Sequence, residues 1–292
     1  MKLALGTVQF GLDYGISNAD GKVSPTEIDA ILQWAQAHHI DTLDCAATYG
    51  SSEQVLGETK LSQNFSIISK TPSLENVSIS IAKQLSQSLS KLKRDNIDGL
   101  LLHNCDDLIS TQKAQETYQQ LKRLKTQGLV NKIGVSVYTT EQLIQIINNF
   151  DIDLVQLPIN CFDQRFLKPG LLEELVQKNI EVHCRSAFLQ GLLLMDNKSV
   201  PDYFADYQKY FQNFEALAQQ LNCSKLTLAL SIVAQNPLIE RIVIGCCNKK
   251  QLEEIIQSYQ MAQHLDLSTI NFQSLACSEP ALINPSLWSL ND

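Results

Sequence analysis

Short apolar runs alternate with amphipathic stretches along the whole chain, and that rhythm restricts the fold more than any other feature. The runs are Thr42–Asp44, Ser66–Ser69, Gly99–Leu102, Lys132–Val135, Leu154–Leu157, Ile180–His183 and Arg241–Ile244, with Leu3–Leu5 as an eighth. Unbroken by polar alternation, they suit parallel strands buried on both faces. The stretches between them carry helical spacing. Ser24-Pro25-Thr26-Glu27 has the form of a capping box with Pro at the first helical position, and Ile28, Ile31, Leu32 and Ala35 follow it. Ile81, Leu85, Leu89 and Leu92 form a second stripe. Tyr118, Leu121 and Leu124 form a third, which ends near Gly128. Leu171, Leu172, Leu175 and Val176 form another; Leu226, Leu230 and Val233 precede the last strand, and Leu252, Ile255 and Ile256 follow it.

Eight strand–helix units in 292 residues predict a closed (β/α)8 TIM barrel of parallel strands, with its active site at the C-terminal face. An open dinucleotide-binding sheet would need GxGxxG in its first strand–helix turn, and the chain has none. No linker or low-complexity block divides residues 1–292, so one barrel domain is expected, with a weakly periodic tail over Leu267–Asp292. Met195–Phe214 also falls outside the rhythm and carries Tyr203, Phe204, Tyr207, Tyr210, Phe211 and Phe214. Segments inserted after barrel strands often build substrate pockets, but aromatics more commonly pack. Both readings stand open for this one.

Composition excludes several classes. A net charge of -8 without a basic cluster disfavours nucleic acid and anionic membranes as partners. The start, Met1–Phe10, lacks a signal peptide's apolar run, and no stretch is apolar enough to span a bilayer. A cytoplasmic location and a small-molecule partner are therefore expected. The eight cysteines are scattered without a CxxC pair, so they are expected to stay reduced and to bind no metal. Oligomeric state leaves no mark in the sequence.

Three titratable residues share one kind of position. Asp44 ends Asp41-Thr42-Leu43-Asp44, Lys70 ends Ser66-Ile67-Ile68-Ser69-Lys70, and His103 ends Gly99-Leu100-Leu101-Leu102-His103; Tyr49 lies in the loop after Asp44. Singly, each has a dull alternative: a helix cap, a lysine leaving the core, a satisfied structural histidine. On successive barrel strands their carboxyl ends converge on one mouth. Their chemistry is also coherent. Reducing a carbonyl builds negative charge on its oxygen and calls for a proton donor. Tyr49 would donate, Lys70 would lower the tyrosine pKa from about 10, Asp44 would hold Lys70, and His103 would bind the carbonyl oxygen.

These residues resemble those of the aldo-keto reductases. That family's Asp-x-Ala-x-x-Tyr-Gly-x-x-Glu pattern is matched by Asp44-Cys45-Ala46-Ala47-Thr48-Tyr49-Gly50-Ser51-Ser52-Glu53, with Lys70 and His103 following as its Lys and His. Gly134-Val135-Ser136, Val155-Gln156-Leu157-Pro158-Ile159-Asn160 and Arg185-Ser186-Ala187-Phe188-Leu189-Gln190-Gly191-Leu192-Leu193 resemble its later motifs, and Ile244-Gly245 followed by Gln251-Leu252-Glu253-Glu254 resembles its phosphate-binding turn. The resemblance implies a reductase of aldehydes or ketones that uses a nicotinamide cofactor. Ser136 and Gln156 would hold the carboxamide, and Gly6 and Thr7 would lie by the nicotinamide ribose. Arg185, Ser186, Phe188 and Gly191 would line the cofactor trench. Gly245, Cys246, Cys247, Asn248, Gln251 and Glu254 would hold the adenosine end, where a helix amino terminus offers N–H groups to phosphate.

The chain also departs from the pattern. Cys45 replaces the usual Thr and Val137 a common Asn; Arg185 stands where many relatives stack an aromatic on nicotinamide. Arg185 is expected to face a ligand rather than a surface carboxylate. NADP(H) is the family's usual cofactor, yet the bases that commonly hold its 2′-phosphate are replaced by Cys246, Cys247 and Gln251, so NAD(H) stays open. The resemblance suggests a sugar-derived substrate. Two other functions remain: a non-catalytic cofactor-binding regulatory subunit of the same fold, and an aldolase or isomerase that uses Lys70 as a Schiff base.

Overall fold

The computed structural model describes residues 1–74, 79–109, 113–268 and 270–290; position 269 and residues 291–292 of the expected tail lie outside them. All eight apolar runs are strands: β1 (Leu3–Gly6), β2 (Thr42–Asp44), β3 (Ser66–Thr71), β4 (Ile97–Leu102), β5 (Val130–Ser136), β6 (Leu154–Pro158), β7 (Glu181–Arg185) and β8 (Arg241–Ile244). They close in sequence order, every neighbouring pair parallel, with β1 against β8. This is the (β/α)8 barrel that the rhythm predicts. Strand seven is displaced: it begins at Glu181 and runs on to Arg185, past the expected His183.

The register carries the tilt of the barrel. Glu181 pairs with Leu154, Leu154 with Gly134, Gly134 with Leu101, and Leu101 with Lys70. One row of partners thus climbs from the first residue of β7 to the end of β3. Gly134 is required in this row, because a Cβ there would lie 1.8 Å from the Leu154 carbonyl oxygen. At the amino ends of the strands, Glu181 accepts from Lys132 and pairs with His183 Nε2 at 2.8 Å, while Arg241 meets Asp41 at 3.3 Å.

The helices cover the barrel with their apolar stripes. Pro25–Ala37 buries Ile28, Ile31, Leu32 and Ala35. Only half of its capping box forms: Ser24 Oγ accepts from Glu27 N, but the Glu27 carboxylate crosses to Lys249 N at 2.5 Å instead of turning back. The helices Ile81–Leu92, Ala114–Thr126, Leu171–Gln177, Lys225–Ala234 and Lys249–Ala262 follow the remaining stripes. Val176 leaves its stripe and is exposed. Ser52–Glu58 and Thr140–Asn149 add two helices, the second with a full Thr139–Gln142 capping box.

The aromatic segment resolves in favour of packing. Its residues fold into a short 3-10 turn, Asp202–Tyr207, and the helix Gln208–Gln220. Phe211 and Phe214 meet Phe162 edge-on at 5.5 and 5.9 Å, and Phe204 meets Trp288 of the tail at 5.0 Å. Such pairs add about 0.5–1.5 kcal/mol each beyond the area they bury. They clamp the tail to the barrel flank. Among the described residues no helix is long and apolar enough to cross a membrane, and no cluster of His, Cys, Asp and Glu could hold a metal.

Candidate active site

The mouth of the barrel brings Asp44, Tyr49, Lys70 and His103 together. Asp44 closes β2, Lys70 lies near the end of β3, and His103 follows β4. Lys70 Nζ donates to Asp44 Oδ1 at 2.6 Å, to the Cys45 carbonyl at 3.1 Å and to the Tyr49 hydroxyl at 3.4 Å. The other Asp44 oxygen accepts from Gln156 Nε2 at 2.7 Å. His103 stands edge-on to Tyr49, ring centres 5.9 Å apart, and its Nδ1 pairs with Thr48 Oγ1 at 3.2 Å. When the Thr48 hydroxyl donates to Nδ1, the ring proton sits on Nε2.

Two glycines fix the loop that presents Tyr49. Gly50 has φ 55°, and a Cβ on it would lie 2.4 Å from the Gly11 carbonyl oxygen. A Cβ on Gly11 would lie 1.9 Å from the Tyr49 carbonyl oxygen. The loops after β1 and β2 therefore touch backbone to backbone. Below them, buried Glu53 accepts from Ser69 Oγ at 2.8 Å, tying the helix Ser52–Glu58 to β3.

Electrostatics sort the four groups. Burial works against the Lys70 charge, but the adjoining Asp44 carboxylate and Tyr49 outweigh it and hold the ammonium above its usual range. For Tyr49 the balance differs from the sequence expectation. Burial pushes its hydroxyl up, and the Lys70 ammonium offsets only part of that rise. Tyr49 is therefore held as a phenol. Burial and the Lys70 charge lower His103 to about 4, so its imidazole is neutral at physiological pH.

These groups open on a cleft of about 580 Å³. It runs from Tyr49 and His103 past Gln156 and Arg185 to Gln251 and Glu254, within the usual size of small-molecule sites. Gly6, Thr7, Ser186, Phe188, Gly191, Gly245, Cys246 and Cys247 line it as well. Ser136 and Asn248 do not: Ser136 is buried at the end of β5, in register with Gln156, and Asn248 Oδ1 is taken by Gln251 N at 2.9 Å. Lys70 also lies below the lining and reaches it through Tyr49.

Sequence reasoning missed Gln9, Tyr14, Ser17, Tyr138 and Gln190, which line the cleft. The stretch from Leu12 to Asn18 has no period to flag it, but Tyr138, just past the Gly-x-Ser of β5, could have been found as a strand-end aromatic. Gln190 and Gly191 have positive φ, and a Cβ on Gly191 would lie 1.9 Å from Ser17 Oγ. The loops after β1 and β7 thus meet across the cleft. Arg185 faces it too. Its guanidinium lies 4.3 Å over the Tyr138 ring and donates to the Val137 carbonyl at 2.9 Å. Among the described residues it joins no ion pair.

The start of the helix Lys249–Ala262 departs from expectation. Its amides are not free for a phosphate. Cys247 N donates to Gln251 Oε1 at 2.7 Å, Gln251 N to Asn248, and Lys249 N to the Glu27 carboxylate.

A parallel eight-stranded barrel with an Asp–Lys–Tyr–His cluster at its mouth defines a narrow class of proteins. A model of the Aldo/keto reductase family matches residues 2–271, and this chain belongs to that family. It is similar to oxidoreductase YdhF of Escherichia coli K12, with 31% identity over 148 residues, 50% of this chain and 46% of that protein. It is similar to the uncharacterized oxidoreductase YcsN of Bacillus subtilis 168, with 26% identity over 60% of this chain and 65% of that protein. The matched chain therefore spans about half to two thirds of those relatives. Among solved structures, the holo form of the aldo-keto reductase AKR11C1 from Bacillus halodurans superposes with a TM-score of 0.72 at 17% identity, covering 95% of this chain and 93% of that one. PA4992 of Pseudomonas aeruginosa gives 0.66 at 21% identity, covering 89% and 90%. At these identities the superpositions show a common fold.

Proposed function

We propose that this protein is an oxidoreductase that reduces an aldehyde or ketone to the alcohol, with Tyr49 as proton donor and a nicotinamide dinucleotide as hydride source. The observation that carries this reading is the Tyr49 hydroxyl, 3.4 Å from a Lys70 ammonium that Asp44 holds at 2.6 Å, opening on the cleft beside a neutral His103.

The residues present fit the cofactor. Gln9 Oε1 and Arg185 Nε are buried without a partner, and both side chains line the cleft. A Cβ on Gly245 would lie 2.6 Å from Gln9 Nε2, so the turn after β8 passes close beside that orphaned oxygen. Gln156, with Ser136 beneath it, would hold the carboxamide end, and Gly6 and Thr7 the adjoining ribose. Arg185, Ser186, Phe188 and Gly191 would wall the trench; Gly245, Cys246, Cys247, Gln251 and Glu254, with Asn248 capping the helix, would hold the adenosine end. When bound, the reduced nicotinamide supplies the hydride.

The chain's own work is on the proton and the charge. As the carbonyl carbon gains the hydride, its oxygen becomes an alkoxide, a stronger base than phenolate. Tyr49 gives that oxygen its proton, which completes the alcohol. The tyrosinate left behind faces the Lys70 ammonium, and Asp44 keeps that ammonium in place. A donor on His103 Nε2 would hydrogen-bond the oxygen as its charge grows, which is electrostatic stabilisation rather than proton transfer. The Schiff-base reading of Lys70 loses support, because condensation with a carbonyl needs a neutral amine and Asp44 favours the ammonium.

The test is nicotinamide oxidation with a panel of short aldehydes, ketones and sugar-derived carbonyls. Turnover with one class of them is expected. Tight nucleotide binding without oxidation by any would favour a regulatory subunit instead.

A further inference from the structure

The geometry points to a cofactor site that selects NAD(H) over NADP(H), with Glu27 and Glu254 excluding the 2′-phosphate. This inference rests on the dinucleotide reading above and makes it more specific. A 2′-phosphate adds roughly two negative charges and three strong acceptors. A site that welcomes it must offer free donors and a net positive field. This one offers neither.

The donors are already used. Three amides at the start of the helix Lys249–Ala262 would be the natural partners of an anion. One is taken by Gln251 Oε1, one by Asn248 Oδ1 and one by the carboxylate of Glu27, at 2.5 Å. The last is the most telling. Glu27 comes from a different helix, Pro25–Ala37, and abandons its own capping box to reach Lys249 N. It places a negative charge where a phosphate would seek the helix dipole.

The field is also wrong for a phosphate. Among the described residues no Lys or Arg lines this end of the cleft, while Glu254 does. Lys249, the nearest base in sequence, is turned away: its ammonium lies 4.3 Å over the Trp34 ring and 3.2 Å from Glu253. Lys250 is exposed and outside the lining. A carboxylate at the cleft wall is instead a good acceptor for ribose hydroxyls. The same choice between a carboxylate and a base sorts NAD from NADP in unrelated dinucleotide folds.

The experiment is separate titration of the full-length protein with NADH and NADPH, read by tryptophan fluorescence or calorimetry, at low and high salt. NADH is expected to bind at least about tenfold more tightly, because like charges at a binding site are costly. The gap should narrow with salt, since screening weakens repulsion at the cleft rim. Glu27→Gln and Glu254→Gln should each raise NADPH affinity several-fold; Glu27→Gln should change NADH affinity less than about twofold, whereas Glu254→Gln, which alters the cleft wall itself, should also weaken NADH, with thermal unfolding midpoints recorded to confirm folding. Equal or tighter NADPH binding by the unaltered protein overturns the inference. So does a gap that neither salt nor either variant moves. Failure to bind either nucleotide is a different result: it removes the dinucleotide reading itself.

Discussion

The two ends of the barrel each hold a lysine–carboxylate cluster, and they are built to opposite purposes. Lys70 and Glu181 stand at the two ends of one row of register partners, through Leu101, Gly134 and Leu154. At the amino ends of the strands, Glu181 joins Lys132 and His183 Nε2, with Lys132 41% exposed. At the mouth, Lys70 and Asp44 are 1% and 4% exposed, and Lys70 spends its third contact on Tyr49, whose hydroxyl opens on a cleft. The lower cluster is partly in water through Lys132 and Glu181. The upper one is dry and leaves the Tyr49 hydroxyl facing the cleft. This is the division of labour of a barrel, with stability at one face and chemistry at the other.

Breaking each cluster should give the largest contrast. Asp44→Ala strands a buried ammonium and takes the acceptor from Gln156, so a loss of about 3–5 kcal/mol in urea unfolding is expected. Glu181→Gln breaks a partly solvated cluster and should cost clearly less than that. Replacing both members of the upper pair, Asp44→Ala with Lys70→Met, should recover part of the loss, because no buried charge then remains uncompensated. Equal losses for the two single variants would mean that the ends do not differ in this way.

Chemistry should divide as sharply. Tyr49→Phe removes the proposed proton donor and no group proposed to hold a nucleotide. Turnover is expected to fall about 10²-fold or more with nucleotide affinity nearly unchanged. Glu181→Gln should leave turnover within about twofold of the parent, as expected of a residue at the stability face. Near-full activity in Tyr49→Phe would remove Tyr49 from the reaction.

The barrel was legible in the sequence because strands buried on both faces leave contiguous apolar runs, and all eight formed strands. The four polar groups of the mouth were legible because they end or follow those runs. What was not legible depends on contacts between distant segments. Nothing local tells that Glu27 leaves its capping box for Lys249, since the two lie on different helices. The direction of the Tyr49 shift was misjudged for a related reason. Proximity to Lys70 can be inferred from motif spacing, but the depth of burial that outweighs it is a property of the packed mouth. The aromatic segment had composition without position, and its rings turned to Phe162 and Trp288 rather than to the cleft.

A last predicted effect separates the two ends by pH. His103 at the mouth is lowered to about 4 from 6.5, by burial first and the Lys70 charge second. Between those values the unfolded chain takes a proton that the folded protein refuses, so stability falls as pH drops from about 6.5 to about 4. Glu181 at the far end moves the other way in origin. Burial opposes its charge, but His183 and Lys132 outweigh it and hold the carboxyl at about 2, below the usual 4.5. Its stabilisation is complete above 4.5 and is lost as pH falls from there towards 2. Urea unfolding across these ranges should show an upper window that His103→Gln removes and a lower one that Glu181→Gln removes. Activity sharpens the point. A neutral His103 predicts kcat/KM without an acid limb near 6.5 and a decline only towards pH 4, where imidazolium would add a second cation beside Lys70. A limb near 6.5 that disappears in His103→Gln would show that the histidine carries charge in the working enzyme, and the mouth would then be less dry than its geometry implies.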